Sequence, residues 1–238
     1  MRLLETRTLK LKMFVVLFKD IQKESSEEWK DKTGAIKILK SAKICTESKI
    51  AYIWIDTCCI DKSSSAELSE AINSMFEWYR QSHVCYAYLS DVLSNREQDP
   101  PTGIVPFEKS RWFTRGWTAP SNLQFFDRAW LRLGGRATLA DILYSITRIK
   151  KSILRSQDTR GLVDTLSNCS VHTKMVWASR RITTRAEDRA YSLMGLFNVN
   201  MPLLYGEGGR NAFDRLQDEI IKRTNDQSIL LHEVIPEE

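Results

Sequence analysis

The sequence predicts an α/β fold: a parallel sheet flanked by helices, with an α-rich C-terminal extension. Three neighbouring segments predict it. Residues 50–56, IAYIWID, are a continuous apolar run that ends in Asp56, the pattern of a strand covered on both faces. Ser64 and Glu67 then fit a capping box, with the Ser oxygen on the third amide and the Glu reaching back. Leu68, Ala71, Ile72, Met75 and Tyr79 follow at helical spacing. Residues 84–89, VCYAYL, form a second apolar run. Strand, capped helix, strand is a βαβ unit, which crosses over right-handed.

The remaining elements are read in chain order. Residues 15–49 are polar and helical in pattern, with Ile36, Ile38, Leu39 and Ala42 as a partial apolar stripe. Residues 90–110 hold REQDPPTG, a loop stretch with two prolines, and RWFTRGWT follows at 111–118. LQFFDRAWLRLGG is a short strand and turn ending in Gly134 and Gly135. Residues 137–170 carry a helical signal with polar interruptions. Thr184 and Glu187 form a second capping-box pattern ahead of Ala190, Leu193, Met194 and Phe197, and Pro202 ends that run. YGEGG is a turn, and Phe213, Leu216, Ile220 and Ile221 mark a final helix from about 211 to 223. Two regions result, 1–135 and a helical 136–238.

Bulk composition excludes several classes. With 238 residues, 42% hydrophobic, 27% charged and a net charge of +5 in which the signs are interspersed, the chain is globular and has no basic stripe. Nucleic acid is therefore not an expected partner. The five cysteines, Cys45, Cys58, Cys59, Cys85 and Cys169, have no C-x-x-C spacing, and three scattered histidines make no zinc pattern. Reduced thiols, no metal and a cytoplasmic location are the expectations. MFVVLF near the N-terminus is too short for a signal-peptide core, and no run reaches the roughly 18–20 apolar residues of a membrane span.

Each chemical motif has a plain reading beside its functional one. Asp56 at the carboxyl end of a strand sits where open α/β sheets bind ligands, or it bonds loop amides and ends the strand. Cys58 and Cys59 precede a helix start that could activate a thiol; buried inert thiols are the commoner outcome. Arg111 and Arg115 interleave with Trp112, Phe113 and Trp117, either for cation–π stacking on a ligand or as an aromatic anchor of the core. YGEGGRNAF has glycines before a helix, as phosphate loops do, but lacks the Lys-Ser/Thr of a P-loop. Arg185, Glu187, Asp188 and Arg189 fit capping and i,i+4 pairing.

Taken in order, YIWIDTCCIDKSSSAELSEAINSMFEWY, VCYAYLSDV, SRWFTRGWT, WASRRITTRAEDRAYSLMGLFNVNMPLLYGEG and AFDRLQDEII resemble the heterokaryon incompatibility (HET) domain proteins of fungi, as does the opening MRLLETRTLKL. The resemblance covers nearly the whole chain. It implies a signalling module of nonself recognition and programmed cell death that works through self-association or protein partners, away from membranes. It also implies a core distantly similar to TIR domains. Some TIR domains cleave NAD with a glutamate on a helix after a core strand, and Glu70 in ELSEAI is placed similarly, with Glu67 the alternative. On that implication Asp56, Trp54 and Trp117 line the pocket, NAD is a candidate substrate, and no cofactor is required.

Two departures stand out. The family's YAILSHTWG-type strand and loop is absent, since MF runs straight into VVLFKDIQ; and RGWTAP replaces RGWTLQELIAP. Loss of a first strand removes a sheet member and one wall of the implied pocket. A degenerate copy, with its catalysis in question, is therefore expected.

Overall fold

The computed structural model of the chain describes residues 2–7, 11–13, 35–61, 63–94, 105–115, 122–156 and 165–231. It divides into two compact units, Met1–Ala71 and Ile72–Glu238.

The first unit is built on a three-stranded sheet in the order β2-β1-β3. Strand β1 (Arg2–Glu5) pairs antiparallel with both β2 (Leu11–Met13) and β3 (Tyr52–Ile53). Helix α1 (Ala35–Glu47) buries Ala35, Ser41, Ala42 and Cys45. The expected stripe is rotated: Ile38 and Leu39 are half-buried and Ile36 is exposed. Thr6 extends the β1–β3 pairing, its amide donating to the Ala51 carbonyl at 3.0 Å and its hydroxyl to the Ile50 carbonyl at 2.8 Å.

The expected strand over 50–56 shrinks to Tyr52–Ile53 at a sheet edge, with Tyr52 exposed. The reason is local. The Ile55 carbonyl accepts the amides of Cys58 and Cys59 at 3.1 and 2.8 Å, which turns the chain into the short helix α2 (Asp56–Cys59). Leu4, Ile55, Cys58 and Cys59 form this unit's core, with Ile38, Ile53 and Trp54 packed on it. Helix α3 (Ser65–Gln81) follows.

The second unit has its own three-stranded sheet, β4-β5-β6. Strand β4 (Cys85–Tyr88) runs parallel to β5 (Leu123–Phe126), which turns back antiparallel to β6 (Arg132–Gly135) with an irregularity between Phe125 and Phe126. The strands at 52–53 and 85–88 thus belong to different sheets, and the expected parallel βαβ pairing between them does not form. The one parallel pair among the described residues, β4 with β5, has a long connection. Asp127, fully buried, holds the β5–β6 turn: it accepts the Leu131 amide at 2.9 Å, and the amide and hydroxyl of Ser94 at 2.9 and 2.6 Å. Such a carboxylate is tolerated in the interior because its lone pairs are filled.

Helices α4 (Ala140–Thr147) and α5 (Lys151–Arg155) cover this sheet. Leu143, Ile149, Ile153 and Leu154 join Ala87, Leu89 and Phe125 in one core. A second core gathers α6 (Val171–Ala178), α7 (Asp188–Tyr191), α8 (Met194–Phe197) and α9 (Gly209–Arg223) around Met175, Met194 and Leu216. Helix α9 starts two residues before the expected position and buries Phe213, Leu216 and Ile220 as the spacing predicts, while Ile221 is exposed. The α8 helix approaches α3 so closely that Gly195 lies against Phe76, where an added β-carbon would overlap the Phe76 β-carbon and the adjoining ring edge.

Candidate functional site

The residues expected to carry chemistry in the first unit cluster in sequence around α2 and the start of α3. Asp56 opens α2 rather than ending a strand, and is half-buried, as is Trp54 beside the Ile55–Cys59 core. Ser64 accepts the Glu67 amide at 3.3 Å. Glu67 reaches back past Ser64, and its Oε1 accepts the Asp61 amide at 2.9 Å. Asp61 in turn accepts the amide and hydroxyl of Ser63 at 3.0 and 2.6 Å. The capping box is therefore half-formed and widened by three residues. Glu67 is held as a cap, whereas Glu70 is exposed and makes no hydrogen bond or ion pair among the described residues. No hydrogen bond joins Asp56 to Glu70. Trp117 lies outside the described residues.

The adjacent thiols are built for inertness. Cys58 and Cys59 are buried with their sulfurs 3.9 Å apart, and the Ile55 amide donates to Cys59 Sγ at 3.4 Å. The neighbouring Cys59 thiol, then burial, push the Cys58 thiol far above its ordinary range. A neutral thiol is a poor nucleophile and a poor metal ligand. Among the described residues no group of three or more His, Cys, Asp or Glu could hold a metal ion, and no helix is long and apolar enough to cross a membrane.

In the second unit, RWFT proves to be a core anchor. Phe113 is buried, and Trp112, Phe113 and Phe107 pack edge-on or tilted about Phe125 with centroids 5.3–6.2 Å apart. Asp91 fastens this turn, accepting the Ser110 hydroxyl at 2.7 Å and the Arg111 amide at 2.8 Å. The Arg111 guanidinium donates to Ser90 Oγ at 2.8 Å, and Arg115 is exposed.

The YGEGG turn holds the densest polar network. Gly206 and Gly208 have φ of 100° and 84°, values that glycine adopts without strain. Their amides donate to Glu187 Oε1 at 2.9 and 3.2 Å. Glu207, from the same turn, accepts the Tyr191 hydroxyl at 2.8 Å and the Arg215 Nε at 2.9 Å. The Tyr205 hydroxyl donates to Asp188 at 3.0 Å, with the Arg185 guanidinium 4.2 Å from its ring centroid. The amides that a phosphate would need are thus occupied by a carboxylate of the chain itself, which answers the phosphate-loop reading. Glu187 has its carboxyl held below the ordinary glutamate range, first by its own amide and then by those of Gly206 and Gly208. Arg215 lowers Glu207 likewise.

Thr184 and Glu187 do not form the expected cap: Glu187 occupies the N-cap position of α7 with no side-chain capping bond. Its partners lie 19 and 21 residues ahead, beyond the reach of any local pattern. The signal the sequence offered was the glycine pair at Gly206 and Gly208, whose amides need an acceptor.

These features define a mixed α/β chain, with two small sheets among the described residues and a helical C-terminal part fastened by carboxylates. Residues 23–100 match the model of the family described as heterokaryon incompatibility protein (HET). The chain is also 47% identical over 178 residues to the vegetative incompatibility protein HET-E-1 of Podospora anserina, covering 72% of this chain and 13% of that protein. This chain is related to the fungal heterokaryon incompatibility proteins. It spans only a small part of the curated relative's length. No solved structure matches it.

Proposed function

We propose that the chain is a heterokaryon-incompatibility module acting in nonself recognition and programmed cell death. It works in the cytoplasm through self-association and protein partners. The 47% identity to a vegetative incompatibility protein over 178 residues carries this reading. Residues 1–135 form the HET domain and 136–238 its helical extension. The module is degenerate: the missing SHTW-type and LQELI segments remove catalysis and leave the contacts. Induced expression in a fungal host tests this, with viability and cellular NAD followed together. Death with NAD unchanged is the expected result. Full viability with the folded chain present at high level overturns the reading.

A second reading follows from the exposed, unengaged Glu70 on the helix after β3. In it the core is TIR-like and the chain cleaves NAD, with Glu70 as the catalytic carboxylate and Asp56, Trp54 and Trp117 lining the pocket. NAD turnover by purified chain, abolished in Glu70→Gln, would establish it. Absence of turnover in the folded wild type removes it.

A further inference from the structure

We propose that the outer face of the β4-β5-β6 sheet is a docking surface for an acidic segment of a partner protein, one that carries an apolar anchor side chain among its carboxylates. Paired residues of neighbouring strands point to the same side of a sheet. The pairs Tyr88 with Phe126 and Phe126 with Arg132 therefore share one face, and on it Arg132 Nε donates to Gln124 Oε1 at 3.3 Å. Ala87, Leu123 and Phe125 alternate to the other side, where they join the core. Trp130 lies over the outer face. Its ring stacks on Tyr88 with centroids 4.5 Å apart and planes 15° apart, and leans on Phe126 at 5.9 Å. None of Tyr88, Phe126 and Trp130 belongs to either core of this unit.

The fold holds this patch against two penalties. Trp130 has φ of 64°, a left-handed conformation that is a genuine outlier for a bulky side chain. Its amide donates to the Asp127 carbonyl at 2.9 Å, which fixes the turn. Its indole N–H is buried with no hydrogen-bond partner among the described residues, an unmatched donor. Backbone strain of this kind clusters at ligand clamps. Around the rings the charge is of one sign. Arg128 and Arg132 are exposed and form no ion pair among the described residues. The one acid of residues 122–135, Asp127, is fully buried, its oxygens filled by Ser94 and Leu131. Leu131, at the turn, is 45% exposed. Tryptophan, tyrosine and arginine are the residue types that dominate interface energetics, and an apolar centre with a polar rim is the anatomy of such interfaces. The cationic rim selects carboxylates, while the rings and Leu131 take the anchor. This surface does not rest on the cell-death reading, since its partner is defined by chemistry alone and is measured on purified protein.

The test selects random peptides displayed on phage against the whole chain at physiological ionic strength, then measures the recovered consensus as a synthetic peptide by fluorescence anisotropy. The expected consensus has Asp or Glu on both sides of an aliphatic or aromatic residue. Trp130→Gly is expected to bind it about thirtyfold more weakly, the loss of one interface hot spot. Glycine adopts the left-handed conformation freely, so this variant keeps the turn, and its urea transition checks that it is folded. Arg132→Glu is expected to bind at least about tenfold more weakly through charge repulsion. Arg180→Glu, the same reversal at an exposed arginine beyond the end of α6, is expected to bind as wild type does. If Trp130→Gly does not fold, Arg132→Glu, at an exposed position, decides the matter. Recovery of no acidic consensus, or an affinity unchanged in Arg132→Glu or in folded Trp130→Gly, overturns the proposal. Oligothymidylate bound more tightly than the peptide, and lost in the same variants, overturns it in favour of a single-stranded nucleic acid.

Discussion

Tyr191 and Glu207 meet across 16 residues through a 2.8 Å hydrogen bond in which the phenol donates. The same phenol oxygen accepts the Leu204 amide at 2.9 Å. One hydroxyl therefore joins α7 to the middle of the YGEGG turn and to the residue just before it. Tyr191→Phe strips both partners of it while keeping the ring. Leaving a buried polar group unmatched costs about 1–3 kcal/mol. The urea midpoint should fall accordingly, with far-UV circular dichroism unchanged.

Acid should loosen the same region. Glu187 and Glu207 are both held below the ordinary glutamate value of 4.5. A carboxyl depressed in the folded state contributes stability above its unfolded pKa and loses it as pH falls through the folded one. Stability should hold from neutrality down to about pH 4.5 and decline below. Glu187→Gln should unfold more readily at neutral pH and show a shallower acid decline, measured as urea midpoint against pH.

Gly195 faces Phe76 with no room for a β-carbon. Gly195→Ala should therefore destabilise by about 1–3 kcal/mol, the range for overpacking a close-packed interior. Adding Phe76→Gly, which removes the Phe76 β-carbon that lies nearest, should return part of the overlap cost, which a double-mutant cycle against Phe76→Gly alone reads directly.

Thiol labelling should be ordered by burial. Cys45, Cys58, Cys59 and Cys85 are buried and Cys169 is half-exposed. Burial pushes the Cys85 thiol up to about 11. A disulfide reagent should modify Cys169 first in the native protein, and the other four only on unfolding. Early loss of Cys58 would contradict the packing around α2.

Arg136 is 3% exposed, and its Nε and Nη1 have no hydrogen-bond partner among the described residues; its Nη2 reaches the Ser156 carbonyl. Burial lowers its guanidinium to about 10. Replacing an uncompensated buried charge with an apolar chain of similar length is often neutral or stabilising. Arg136→Met should leave the melting temperature equal or higher.

Local features were legible in the sequence and distant ones were not. Ser64 and Glu67 announced the start of α3 because a cap is written within a few residues. Phe213, Leu216 and Ile220 announced α9 because one helix face repeats on a fixed period. The run at 50–56 misled because an apolar stretch reads as a strand whether or not a carbonyl bends it, and Ile55 bends this one. The pairing of β4 with β5 was invisible, since nothing in VCYAYL names a partner 38 residues on at Leu123. Glu70 and Asp56 came from resemblance and strand-end logic; the structure places Asp56 at a helix start instead.

The Glu187 contact with the YGEGG turn has a consequence for how such chains can diverge. Gly206 and Gly208 supply the amides and the left-handed turn, Glu187 the acceptor, and Glu207 with Arg215 the second tie. A change at one of these five positions leaves its partners facing nothing. Across a lineage they should be inherited as a block or lost as a block, and a copy retaining only some of them marks a chain already drifting from this fold.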